Sequence, residues 1–306
     1  SLNISRSGPM KPRDASVSVI ICTRNRAAQL DRALGRLPHE DLRAHDAEVV
    51  VVDNGSTDAT GEVIRAFAAC SSYPVLLVGE SRPGLSQARN AGLHASRGDL
   101  ILFTDDDCYL SADYVSCAKA AFARDAFDFC GGRIRLHDPC DHPIAIYDEP
   151  DSRFYPAGSV LEAGFFQGAS LCFRRDVWRE TGDFDTRLGA GTPFRCEDIE
   201  WVARASMKGF VGAYEPSLVV RHHHGRQDPD EVRALERDND VARGAFYAAM
   251  ALNGHRAYAR AFAKRMARTA RKPATAGRTF RELRGAATYG ARHGWSGARS
   301  GAELSS

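Results

Sequence analysis

Four short apolar runs, each stopped by a polar turn, constrain this chain more than anything else in it. They are Val17 to Cys22, Glu48 to Val52, Val75 to Val78 and Leu100 to Phe103. They are too short for helices and rich in β-branched residues, so they read as strands. Near-continuous apolar strands belong inside a sheet covered on both faces, which is the habit of parallel sheets. Between the first two, Leu30, Ala33, Leu34 and Leu37 recur at helical spacing within Ala27 to Leu37. Further helices are expected from Thr60 to about Ala69 and from Leu85 to Ser96. Alternation of this kind predicts an α/β fold, a doubly wound and mostly parallel sheet flanked by helices.

Open α/β sheets bind ligands at the carboxyl ends of their strands, so the turns matter most. The first strand runs into Thr23-Arg24-Asn25-Arg26, the second into Asp53-Asn54-Gly55-Ser56-Thr57-Asp58 and the third into Arg82-Pro83-Gly84. The fourth runs into Asp105-Asp106-Asp107. Adjacent carboxylates repel one another unless a cation or a donor neutralises them. A divalent ion, Mn2+ or Mg2+, held by one or two carboxylates and by substrate phosphates, is the natural partner. A solvated acidic turn would explain a lone Asp-x-Asp equally well. No Gly-x-Gly-x-x-Gly follows the first strand, which sets aside a dinucleotide fold. A haloacid-dehalogenase-type phosphatase carries its aspartates on the first strand with Thr or Val two places on. Here they close the fourth, and Tyr109 stands at that place.

Residues 130–165 are rich in Pro, Gly, Asp and aromatics and read as an irregular functional loop, with a short strand near Arg133 to Leu136. Small residues in Phe165 to Arg174 let backbone approach a ligand closely. Glu197 and Asp198 open a helix whose apolar face is Ile199, Val202, Ala203 and Met207. Acids in a first turn suit the helix dipole even without a catalytic role. Leu218-Val219-Val220 is a strand running into His222-His223-His224, where alternate side chains, His222 and His224, should share a face.

Charge divides the chain. Residues 254–300 hold 12 Lys or Arg against one acid, Glu282, a local +11 on a chain of net charge +2. Three segments follow: a flexible leader over 1–15, a body over 16–228, and a basic C-terminal helical extension over 229–306. The leader has no apolar core and is not a secretory signal. Asp228-Pro229-Asp230-Glu231 starts a helix expected to reach about Leu252. From Arg256 to Lys272, Tyr258, Phe262 and Met266 recur every four residues among seven Lys or Arg. That helix suits either an anionic membrane surface or packing on the acidic body. Nucleic acid is not an expected partner, because stacking aromatics are sparse and no recognition module is visible. Eight scattered cysteines without a Cys-x-x-Cys pair point to a reducing cytoplasm. The expected location is therefore cytoplasmic, with the extension as the candidate for peripheral attachment to the inner membrane face.

Taken together and in order, several motifs resemble glycosyltransferase family 2, with the GT-A nucleotide-diphospho-sugar transferase fold, over residues 16–228. They are Val17 to Arg26, Val51 to Asp58, Gly84 to Gly92, Phe103 to Asp107, Gly182 to Asp185, Glu197-Asp198 and the three histidines. The resemblance implies a nucleotide-binding half over 16–110 and an acceptor-binding half over 111–228. It places Thr23, Arg24, Asn25 and Arg26 against the nucleotide, Asp53 on the base, and Gly84, Arg89 and Asn90 beside the ribose and phosphates. Asp105 would meet the ribose side and Asp107 the metal, with Asp106 in the nucleotide-binding turn either inward-facing or solvated, and His222 or His224 completing the site. Asp198 matches the general base, with Glu197 its neighbour. Asn54 stands where the family often has a second acid. The implied activity is metal-dependent, inverting transfer from a nucleotide sugar, a UDP-sugar first, to a saccharide or lipid-linked acceptor in polysaccharide or glycolipid assembly. A sugar nucleotidyltransferase would need a glycine-rich loop after the first strand, and Thr23 to Arg26 has none. A nucleotide-sugar-binding protein without turnover would need neither Asp107 nor Asp198.

Overall fold

The computed structural model describes residues 15–294. The expected leader, apart from Ala15, and residues 295–306 of the extension lie outside the described residues. Strands β1 (Val17–Thr23), β2 (Ala47–Asp53), β3 (Val75–Gly79) and β4 (Leu100–Asp105) pair in parallel in the order β3-β2-β1-β4. Helices α3 (Thr60–Cys70) and α4 (Leu85–Ala95) connect them. The helix expected from Ala27 to Leu37 ends at Leu34 as α1 (Ala27–Leu34), and a second helix, α2 (His39–Ala44), follows it. Gly35 and Pro38 explain the break, since neither sustains a helix.

Beyond β4 the sheet is mixed rather than parallel. It continues through β8 (Leu171–Arg174), β6 (Phe129–Leu136), β9 (Gly212–His222) and β5 (Cys108–Leu110), with β7 (Arg153–Tyr155) on β9. β8 runs antiparallel to β4 and β6, and β5 antiparallel to β9. β6 begins four residues before the strand expected at Arg133, because its glycines hid it. A Cβ on Gly132 would collide with Ser170 and Leu218, so the strand needs glycine to pack there. Helices α5 (Tyr114–Ala123) and α6 (Arg175–Thr181), absent from the pattern reading, join α7 (Glu197–Met207) in covering the sheet. One face buries Val19, Val49, Val51, Leu102 and Phe122; the other buries Ile20, Val50, Phe103, Phe173 and Trp201.

The C-terminal segment is part of this core and not an appendage. α8 (Pro229–Leu252) starts at Asp228, whose side chain accepts from the Asp230 amide. α9 (Arg256–Ala270) follows, then α10 (Ala276–His293). Tyr258 and Tyr289 are fully buried, and the Tyr258 hydroxyl accepts from the Leu161 amide at 3.0 Å. Phe262 stacks on Tyr247 of α8. The apolar face of α9 is therefore engaged inside the protein. Buried Glu282 receives Arg243 and Arg265, and Asp240 receives Arg243 and Arg281. Where α8 and α10 cross, a Cβ on Gly244 would strike the Glu282 carbonyl, and one on Gly285 the Val241 carbonyl. Gly244→Leu should thus destabilise the whole protein by about 1–3 kcal/mol or more, read by urea denaturation. A midpoint equal to the parent's would show that the crossing is not tight.

Candidate active site

β1 lies between β2 and β4, so the chain reverses direction across the sheet beside it. Such a switch point leaves a crevice at the strands' carboxyl ends. It opens here as a cleft of about 660 Å³. The register pairs Cys22 with Asp105, which puts the turn after β1 against the three aspartates. Thr23 Oγ1 donates to Asp106 Oδ2 at 2.7 Å. The Arg26 guanidinium lies 3.3 Å from Asp106 Oδ1 and 2.7 Å from Asp107 Oδ2. On the other side, β5 pairs Cys108 with His222 and brings His222 Nε2 to 3.3 Å from Asp107 Oδ1.

These contacts separate three chemically identical groups. Burial alone would raise Asp107, but the His222 hydrogen bond and Arg26 outweigh it and hold the carboxyl well below its ordinary range. His222 is raised in return, burial notwithstanding. Asp106 lacks the histidine, and burial pushes it up to about 6 against Arg26 and Thr23. Asp105 closes β4, so it is a strand residue and not part of the turn. Its carboxyl faces the cleft.

Donor atoms of Asp107, Cys108 and His222 lie within 4.8 Å of one another. Burial raises the Cys108 thiol well above its usual value, and oxygen and imidazole donors suit a hard divalent ion better than a thiol does. His222 Nδ1 is buried without a partner. A buried imidazole with one nitrogen unpartnered and the other 3.3 Å from a carboxylate fits a divalent cation of the Mn2+ type. His224, expected as an alternative ligand, does not join them. Its Nε2 donates to the His142 carbonyl at 3.0 Å, and its Nδ1 accepts the Arg226 amide at 3.0 Å. β9 has ended by then, so strand alternation no longer holds.

The opposite wall comes from α4 and α7. Gly84 sits at φ 133° and donates its amide to Asn54 Oδ1 at 2.9 Å, which fixes the turn before α4. Asn54 therefore holds the loop. Arg89 is buried, 2.7 Å from Glu197 and 3.9 Å from Asp105, beside the adjoining rings of Phe103 and Phe184. A Cβ on Gly168 would overlap the Arg89 guanidinium, so only glycine fits opposite it. Burial pushes Glu197 up to about 7 against the pull of Arg89. Asp198 faces the cleft; its oxygens accept the Gly168 and Ile199 amides at 2.9 and 2.7 Å. Arg24 lines the cleft too. Asn90 does not: its amide group holds the Phe184 backbone at both ends, at 2.9 and 2.8 Å. Asn25 and Asp53 brace the turns, accepting the Thr57 and Ser56 amides at 2.7 and 2.9 Å, just outside the cleft lining.

A roof that no motif announces comes from α8. Leu235, Glu236, Asn239 and Arg243 of α8 line the cleft at spacings of one, three and four residues, one face of a helix. That spacing was visible in the sequence, but nothing there showed the helix folding back. Arg226, just past the histidines, also lines the cleft and has no acidic partner within ion-pair distance among the described residues.

Residues 18–181 match the family Glycosyl transferase family 2, and the chain belongs to it. A glycosyltransferase, AglE, from Haloferax volcanii is 27% identical over 206 residues, 67% of this chain and 66% of that protein. Pre-mycofactocin glycosyltransferase from Mycobacterium tuberculosis is 28% identical over 245 residues, 78% of this chain and 47% of that one. The chain thus spans less than two-thirds of the length of these relatives, 66% of one and 47% of the other. Its fold is the GT-A type of a mannosyltransferase from Pyrobaculum calidifontis solved with GDP-Man and Mn2+, at TM-score 0.53 and 21% identity. That match covers 89% of this chain and 86% of the other. GalNAc-T7, solved with UDP, GalNAc and Mn2+, aligns at TM-score 0.54 and 19% identity over 78% of this chain and 51% of that one.

Arg89→Met should leave Glu197 buried beside Asp198 without its cation, at a cost of about 3–5 kcal/mol near neutral pH. Glu197 then has a folded pKa raised still further above its unfolded value. A raised carboxyl contributes most below the unfolded pKa and loses that contribution as pH climbs through the folded one. The gap between variant and parent should therefore shrink as pH falls from about 8 towards 5. Denaturation at both ends of that range tests it; a gap independent of pH would mean Glu197 is not the residue left unpaired.

Proposed function

We propose that the chain transfers a sugar from a nucleotide-diphospho-sugar to an acceptor hydroxyl in a single displacement that inverts the anomeric centre. The observation carrying this is the contrast between two neighbouring carboxylates. Glu197 is locked to Arg89, whereas Asp198 faces the cleft with only backbone amides for partners. Those amides fix its orientation and leave lone pairs for the proton of an attacking hydroxyl. With one base and no carboxylate poised as nucleophile, a single in-line attack is the step the site suits. A divalent ion held by Asp107 and His222, with Asp105 nearby, would supply neutralisation of the charge that builds on the leaving diphosphate. Arg24 and Arg226 add positive charge on the same side, and Thr23 with Arg26 keeps Asp106 and Asp107 in place.

Uracil is the proposed base. Asp53 Oδ1 is taken by the Ser56 amide, which leaves Oδ2 for a ring N–H. The acceptor is proposed to be a saccharide or lipid-linked glycan, since the roof contributed by α8 leaves room beside Asp198. Calorimetry against UDP- and GDP-sugars, with and without Mn2+, identifies the donor.

Asp198→Asn should lower turnover about a hundred- to ten-thousandfold while the donor Kd stays nearly unchanged. Normal transfer by this variant would remove Asp198 as the base. Asp107→Ala should abolish the gain in nucleotide affinity that Mn2+ provides; an undiminished gain would put the metal elsewhere.

A further inference from the structure

The outward face of the C-terminal helices has the wrong polarity for a surface that meets only water. α9 and α10 both lie on α8, α9 through Tyr258 and Phe262, α10 through Glu282 and Gly285, while Tyr289 of α10 packs on Phe194. Their opposite sides are exposed. On α10 that side carries Ala276, Phe280, Leu283, Ala287 and Ala291, an apolar stripe spaced by three or four residues. Phe280 is 67% exposed and Leu283 48%. Around the stripe, Arg256, Arg260, Lys264, Arg268, Arg271, Lys272, Arg278, Arg284 and Arg292 are exposed. Among described residues 254–294 the one acid is Glu282, which is buried and neutralised within the helix layer. The face thus sets an apolar line among exposed cations, of which Arg278 also lies 3.4 Å from Asp240.

We infer that this face docks the protein onto an anionic lipid bilayer, with Phe280 and Leu283 inserted at the headgroup level and the Arg and Lys side chains over acidic headgroups. Amphipathic helices with a basic polar face bind membrane interfaces in this way. Each basic residue near such a surface multiplies partitioning by about fivefold at best. A second copy of the chain is a poor occupant, because it would set two cationic faces against each other. The contact differs from the one the sequence pattern suggests. The Tyr258–Phe262 face of α9 is buried on α8, and the exposed apolar line belongs to α10. The docking is independent of the transfer chemistry.

The test is flotation of the full chain with vesicles of phosphatidylcholine alone and of phosphatidylcholine mixed with phosphatidylglycerol, at low and high salt. Binding is expected to the acidic vesicles only and to weaken with salt, as screened charge requires. Phe280→Ser/Leu283→Ser should reduce it by at least about tenfold, two large side chains no longer leaving water. Both residues are exposed, so the melting temperature should match the parent's. Phe154→Ser, at a 54% exposed residue on β7, should bind as the parent does. Equal binding to neutral and acidic vesicles, or full binding by the double variant, would overturn the inference. So would a dimer seen by sedimentation that the double variant abolishes while acidic vesicles float no parent protein.

Discussion

Three carboxylates at the end of one buried strand are an electrostatic problem, and the rest of the site depends on how it is met. Water cannot meet it, since Asp106 and Asp107 are buried. The sheet instead delivers cations from segments far apart in the chain: Arg26 from the turn after β1, His222 from the end of β9, and Arg89 from α4 to Asp105. Each arrives by register, Cys22 opposite Asp105 and Cys108 opposite His222. Slipping either pairing by one residue would turn the relevant side chain to the other face of the sheet. Backbone pairing therefore sets the ionisation of the acids, and neighbouring aspartates end with quite different proton affinities.

The parallel half of the fold was legible because its cause is local. Val17 to Cys22 and Leu100 to Phe103 are buried on both faces, and apolar runs record that directly. β6 was obscured by Gly131 and Gly132, whose missing side chains make room for Phe166 and Ser170. The residues of the site could be named, but not their partners. Arg89 looks like a phosphate ligand in a motif, yet it is a buried counter-ion for Glu197. Asn90 looks like its companion, yet it points the other way and holds Phe184. A one-residue step along a helix turns a side chain by about a hundred degrees, and only packing decides which of the two meets the cleft.

The extension shows the same limit from another side. Its charge set it apart as a separate segment, but charge says nothing about where Tyr258 and Tyr289 go. They enter the core, and α8 follows them to become the roof over Asp198. The arginines that gave the segment its excess charge divide into two populations. Among the described residues, Arg265 and Arg281 turn inward to Glu282 and Asp240, where Arg243 of α8 meets them, Arg278 reaches Asp240 at 3.4 Å, and the others are exposed.

Because Arg243 both lines the cleft and grips Glu282, the geometry has a bearing on how the molecule is made. The strand that carries the aspartates can pair with β1 as soon as it leaves the ribosome, although its other neighbour, β8, is made later. The roof cannot close then. α8 is held down by α10, whose residues are translated about forty positions later. A nascent chain thus passes through a stage with its acidic floor assembled and its upper wall missing, and the ability to enclose a ligand arrives only with the final helix.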